Sequence, residues 1–221
     1  LLADGNTCNL VTIDLSKFKG DNQGLWEATR LITRANYRQT VVDFRDDILQ
    51  EKWHLNNEHL HLCGVSLMGV ATRPDMQPYD FKRLERVVVH AGYEMAEELG
   101  TPYPKNLTAQ KPEGTISKCY DSTEGMHTPL GKYILNNVAF SKYDSLLDIL
   151  RAANYNVFNH PYDDSAVLVT FPVKYDDVEF DIVDGKEVNI ESAISQLERY
   201  SMLMKYYCHQ NVSCTISYSL E

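Results

Sequence analysis

The stretch Asn106-Leu-Thr-Ala-Gln-Lys111 runs directly into Pro112-Glu-Gly-Thr-Ile-Ser-Lys118. Apolar alternation followed by a Gly-containing turn reads as a strand that ends in a loop. Such a turn leaves backbone N–H groups free, Thr115 and Ser117 add hydroxyl donors, and Lys111 and Lys118 flank them. Together these groups suit a phosphate. A lone carboxylate would repel that anion, so Glu113 is expected to cap the following turn or face a sugar hydroxyl. Pro, Gly, Ser and Thr also collect in ordinary strand-to-helix turns for conformational reasons, and spacing alone leaves both readings open.

Outward from this loop, strand-length apolar runs alternate with segments of helical period. Strands are expected at Cys8 to Leu15, Leu60 to Val70, Asn106 to Lys111, Ala166 to Val173 and Val212 to Tyr218. Helices are expected at Asn22 to Asp47, Tyr79 to Leu99, Tyr143 to Ala153 and Ile190 to Tyr207. Tyr133 to Phe140 reads as a further strand of the sheet or as one pairing outside it. Near-continuous apolar strands separated by helices are the pattern of parallel βαβ units buried on both faces, an α/β fold. The acidic run from Tyr175 to Glu187, with its Asp184-Gly185 turn signal, reads as an exposed hairpin or loop.

At 221 residues and 43% hydrophobic content the chain is long enough for one globular domain spanning 1 to 221. A net charge of -10 argues against a nucleic-acid surface, which needs clustered Lys and Arg. A single bound nucleotide remains compatible with it. No apolar run is long enough for a membrane span, and no signal peptide is visible. Five cysteines, at 8, 63, 119, 208 and 214, include no Cys-x-x-Cys pair, so neither a disulfide framework nor structural zinc is expected, and a reducing, cytoplasmic setting is. His59 and His61, two apart, could share a strand face with His54 as a third ligand, but imidazoles on the surface, in the core or on a strand edge are the simpler reading, and no metal ligand is assigned.

Lys111-Pro-Glu-Gly-Thr-Ile-Ser-Lys118, followed by Thr123-Glu-Gly-Met-His127, resembles the substrate-phosphate loop of adenosylcobalamin-dependent (class II) ribonucleotide reductases. Thr7-Cys8-Asn9-Leu10 is similar to the segment that carries one of that family's redox cysteines. Leu62-Cys63-Gly64-Val65-Ser66-Leu67-Met68-Gly69-Val70-Ala71 resembles its glycine-bearing strand. Val169 to Val173 and Asn211 to Tyr218 resemble two later strands, so collinear matches span nearly the whole chain. The Asn-Pro-Cys-x-Glu loop that carries the family's thiyl-radical cysteine is not in this sequence, and neither is its C-terminal cysteine pair.

The resemblance implies half of a ten-stranded α/β barrel, the C-terminal half of a reductase catalytic domain. It implies reduction of ribonucleotides to 2′-deoxyribonucleotides by radical chemistry started at adenosylcobalamin, for DNA precursor synthesis. Pro112, Glu113, Gly114, Thr115, Ile116 and Ser117 would hold the substrate phosphates, and Cys8 would be one thiol of the reducing dithiol. Without the resemblance, Cys8 reads as a small buried hydrophobe, as do Cys63, Cys208 and Cys214, with Cys119 close to the loop. The implied partners are a ribonucleotide, an external thioredoxin-like dithiol and the upstream half of the reductase, with the cofactor site shared with that half and the isolated chain inactive. Two alternatives stand beside this reading: a non-catalytic half-barrel that binds nucleotide phosphates only alongside a partner half, and a fragment of a metal-dependent (class I) large subunit.

Overall fold

A computed structural model describes residues 4–45 and 48–218. The chain begins with β1 (Asn9–Asp14), α1 (Asn22–Arg38), α2 (Glu51–Leu60), β2 (Cys63–Met68), α3 (Pro78–Leu99) and the single turn α4 (Ile116–Cys119). It continues with β3 (Tyr133–Ser141), α5 (Leu146–Ala152), β4 (Asn156–Asn159), β5 (Ala166–Lys174), β6 (Asp181–Val183), β7 (Lys186–Val188) and α6 (Ala193–Tyr206). The elements form two compact units, Leu1–Thr128 with Glu191–Glu221, and Pro129–Ile190.

In the first unit β1 and β2 pair in parallel, in register from Asn9 opposite Cys63 to Asp14 opposite Met68. The ladder continues through residues 106–110: Val65 N donates to Leu107 O at 2.8 Å and Ala109 N to Val65 O at 3.2 Å. A fourth parallel segment follows, with Gln110 N on Asn211 O and Ser213 N on Gln110 O, both at 2.9 Å. Successive residues of a strand face opposite sides. Val11 and Ile13 of β1, with Cys63, Val65 and Leu67 of β2, enter the core with Leu25 of α1 and Phe81, Leu84 and Val88 of α3. Leu15, Leu67, Leu84 and Val88 are wholly buried, each contributing about 1.5–3 kcal/mol of apolar transfer. Leu10, Thr12 and Asp14 take the other face, with Gly64, Ser66 and Met68 opposite them in register.

The start of α1 and both ends of α3 carry the capping residues that their sequences supply. Asp21 caps α1 by accepting from Gly24 N at 2.8 Å. Pro78 sits in the first turn of α3, Asp80 Oδ2 accepts from Gln77 N at 2.8 Å, and Gly100 closes the helix at φ 65°. Tyr37 is fully buried, and its hydroxyl is satisfied by Thr101 Oγ1 at 2.8 Å and Pro102 O at 2.5 Å. Among the described residues no helix is long and apolar enough to cross a membrane.

The second unit is an antiparallel sheet of order β3, β5, β4, with Tyr133 opposite Lys174 and Ser141 opposite Ala166. Leu147 of α5 packs with Val167 and Val169 as a small core. The hairpin of β6 and β7 turns at Asp184 and Gly185, both at positive φ, as its turn signal predicts.

Several expectations are corrected. The strand Ala166 to Val173 is not a parallel strand between helices; it is the centre of this antiparallel sheet. Its apolar run is half-exposed from Leu168 on at alternate positions, as a sheet covered on one face allows. The helix expected to reach Asp47 stops at Arg38, where the chain leaves it by a turn, Thr40 N donating to Tyr37 O and Val41 N to Arg38 O, and the β-branched Thr40-Val41-Val42 disfavours its continuation; Asp46 and Asp47 lie outside the described residues. His54 and His59 lie on α2, not on a strand, and His61 caps it at φ 41°. The stretches 106–111 and 212–218 carry isolated bridges at Thr108, Gln110 and Val212 rather than full strands.

Candidate active site

The loop after residue 110 leaves the sheet at the ends of β1 and β2. Glu113 adopts φ 60°, which turns its backbone over so that its carbonyl accepts from Ser117 N at 3.2 Å and starts the turn of α4. Its side chain is buried against the sheet. Thr12 Oγ1 donates to Glu113 Oε1 at 2.7 Å, and Lys111 Nζ lies 3.3 Å from Oε2 and donates to Thr12 Oγ1 at 3.1 Å. Glu113 thus joins Thr12 and Lys111 in a brace, in which Lys111 balances its charge. Lys118 is held by Glu124.

With Glu113 turned inward, the amides of Gly114, Thr115 and Ile116 have no acceptor among the described residues. The Ser117 hydroxyl is buried and unpartnered, as are Thr123 Oγ1 and Gln110 Oε1. Burying polar atoms without partners costs roughly 1–3 kcal/mol each, a cost a bound oxyanion or its waters would relieve at the donors among them. The 123–127 stretch closes the other side. Gly69 N donates to Thr123 O at 3.0 Å and Ser122 Oγ to Asp14 Oδ1 at 2.7 Å. Gly125 packs so closely that a Cβ would sit 2.6 Å from Lys111 O. His127 Nε2 accepts from Thr215 N at 2.9 Å, which places the ring proton on Nδ1, toward Glu124 O.

Cys8 lies one residue before β1, in the even-numbered register of Leu10 and Thr12, roughly 13 Å along the strand from Thr12. It is half-buried, with its thiol pushed up by burial and drawn part of the way back by the Gln210 amide. Cys63 and Cys208 are also raised by burial, Cys208 to about 12. Cys119 is exposed, beside Thr115 O. Among the described residues no group of three or more His, Cys, Asp or Glu is disposed to hold a metal.

The structure thus brings residues 112–117 together as one loop and sets Cys8 at the opposite end of the neighbouring strand. The brace residues Thr12, Asp14 and Gln110 were not singled out from sequence. The signal available was the even-numbered polar register of β1, Thr12 opposite Ser66 and Asp14 opposite Met68.

No protein-family model matches the chain. It is 31% identical over its whole length to the adenosylcobalamin-dependent ribonucleoside-triphosphate reductase of Levilactobacillus brevis, of which it covers 33%. It is 26% identical, over 98% of its length, to the enzyme of the same name from Lactobacillus delbrueckii subsp. bulgaricus, again covering 33% of it. A crystal structure of B-12 dependent (class II) ribonucleotide reductase superposes with a TM-score of 0.72 at 22% identity over 97% of this chain and 33% of that one, which establishes a shared α/β fold. The chain is similar to adenosylcobalamin-dependent ribonucleoside-triphosphate reductases and spans about a third of the length of those it matches.

Proposed function

We propose that this chain supplies the phosphate-holding part of an adenosylcobalamin-dependent ribonucleotide reductase that makes 2′-deoxyribonucleotides for DNA synthesis. One observation carries the reading: the amides of Gly114, Thr115 and Ile116 stand without acceptors beside the buried, unpartnered Ser117 hydroxyl, on a loop whose one carboxylate is neutralised by Lys111. In this reading Pro112 and Glu113 shape the loop, and Gly114, Thr115, Ile116 and Ser117 donate to the substrate phosphates. The parallel segments β1, β2, 106–110 and 211–213 belong to a half-barrel completed by other parts of the reductase, and residues 1 to 221 work as a single domain.

Cys8 is read as one of two thiols at the ribose. Oxidation of two thiols to a disulfide releases two electrons and two protons, which replace the 2′-hydroxyl by hydrogen with loss of water. An external thioredoxin-like dithiol then restores the pair, in the cytoplasm. The cleft beside β1, about 850 Å³, lies open; its apolar lining is Leu10, Leu31, Ile32 and Tyr120 and its polar lining Thr12, Asp14, Lys17 and Lys111, a groove that does not enclose a corrin by itself. Adenosylcobalamin is therefore assigned to residues shared with the rest of the reductase, and no step is routed through it here.

The test uses a complete reductase containing this chain, with adenosylcobalamin, a dithiol and a ribonucleoside triphosphate. Ser117→Ala with Thr115→Ala is expected to raise KM for the nucleotide at least tenfold. An unchanged KM overturns the phosphate assignment.

A further inference from the structure

A carboxamide carries two N–H groups in one plane, so fixing one of them aims the other. Gln210 Nε2 donates to the carbonyl of Cys63 at 2.8 Å and also contacts Cys8 Sγ at 4.0 Å. The carbonyl can only accept, which settles which end of the amide faces Cys63. The backbone on either side is pinned: His209 N donates to Thr108 Oγ1 at 2.9 Å, and Asn211 O accepts from Gln110 N at 2.9 Å. Gln210 therefore has little freedom to turn away from the start of β1 and β2.

We propose that Gln210 is a positioning residue for Cys8, holding its sulfur in place and stabilising its thiolate through the second amide N–H. This deepens the assignment of Cys8 as a redox thiol and rests on it. The thiolate, not the thiol, is the reactive form in thiol–disulfide exchange. Burial opposes that form at Cys8, and among the described residues no Lys, Arg or His contributes to its ionisation. The titratable neighbour coupled to it is the Cys63 thiol, which burial keeps protonated. Gln210 is thus the group that offsets burial, and it does so without a charge that could compete with Lys111 or a substrate phosphate.

The test is peptide-resolved alkylation of the full chain by iodoacetamide across pH. Gln210→Met keeps the shape and removes the donor. The midpoint for Cys8 should rise by about half a pH unit or more, while that for Cys214 stays put. Gln210→Glu, which places a carboxylate beside the sulfur, should raise it further. An unmoved Cys8 midpoint, or an equal shift at Cys214, overturns the inference. In a complete reductase, Cys8→Ser with undiminished multiple turnover would remove the redox assignment separately, since the alkylation profile does not depend on turnover.

Discussion

Thr12 Oγ1 donates to Glu113 Oε1 at 2.7 Å across 101 positions of sequence, tying the strand that begins beside Cys8 to the loop that presents the free amides. This bond fixes where the loop's carboxylate goes, and so keeps it away from an incoming anion. Thr12→Val removes the donor while keeping the shape. The expected cost is about 1–2 kcal/mol of stability in urea unfolding, with a larger proportional loss of nucleotide affinity than of stability. Full nucleotide affinity in Thr12→Val would show that the brace does not position the loop.

Gly125 combines φ 46° with a Cβ position 2.6 Å from Lys111 O and 3.2 Å from Pro112 O, both backbone atoms that cannot step aside. Gly125→Ala should therefore cost about 1–3 kcal/mol and disturb the phosphate loop. Gly20 has φ 75° and open space, so Gly20→Ala should cost only about 1 kcal/mol, from the left-handed backbone alone. Equal midpoints for the two variants in thermal unfolding would contradict the close approach.

Much of this arrangement was legible in the sequence, and the losses have physical causes. The helix Pro78–Leu99 declared itself through a proline start, a glycine stop and an apolar stripe. The helix Glu51–Leu60 did not, because the residues it buries are His54 and Asn57, so no apolar period marks its inner face. Strand β5 was assigned to the wrong sheet because Ala-Val-Leu-Val-Thr-Phe-Pro-Val reads as doubly buried, while its partner β3 reveals the antiparallel pairing only in three dimensions. The loop 112–117 carried its own signal in turn chemistry. Its brace did not, since Thr12 on a strand has no local feature pointing to Glu113.

Arg73 is almost fully buried and holds Asp75 through two parallel bonds of 2.8 Å, while donating to Phe18 O at 3.1 Å. The Arg73 hydrogen bonds hold the Asp75 carboxyl below its usual range against partial burial. A carboxylate with a folded value below the unfolded one, near 3.9, contributes stability that is complete above about pH 5 and is lost as pH falls through the folded value. Asp75 is mostly exposed, so screening limits the effect. Asp75→Asn should cost about 1 kcal/mol at pH 7, and the difference from the parent should shrink below about pH 4. A difference constant from pH 7 to pH 3 would show that the pair contributes nothing through charge.

Among the described residues β1 pairs only with β2, so its outer edge leaves backbone groups unpaired there, beside Leu10 and Leu31, which are 45% and 55% exposed. An exposed parallel edge flanked by apolar side chains favours association with another strand. The isolated chain is therefore expected to self-associate at micromolar concentration and to show no reductase activity. Adding a polypeptide that supplies the remaining two thirds of a reductase should disperse the self-associated species and, with adenosylcobalamin, a dithiol and a ribonucleotide, yield deoxyribonucleotide. Sedimentation velocity reads the first outcome and product analysis the second. A lysine at Leu10, facing the groove, should block both self-association and complementation if the two use the same edge. Complementation that survives Leu10→Lys while self-association disappears would separate the two contacts and remove β1 as the site where the barrel is completed.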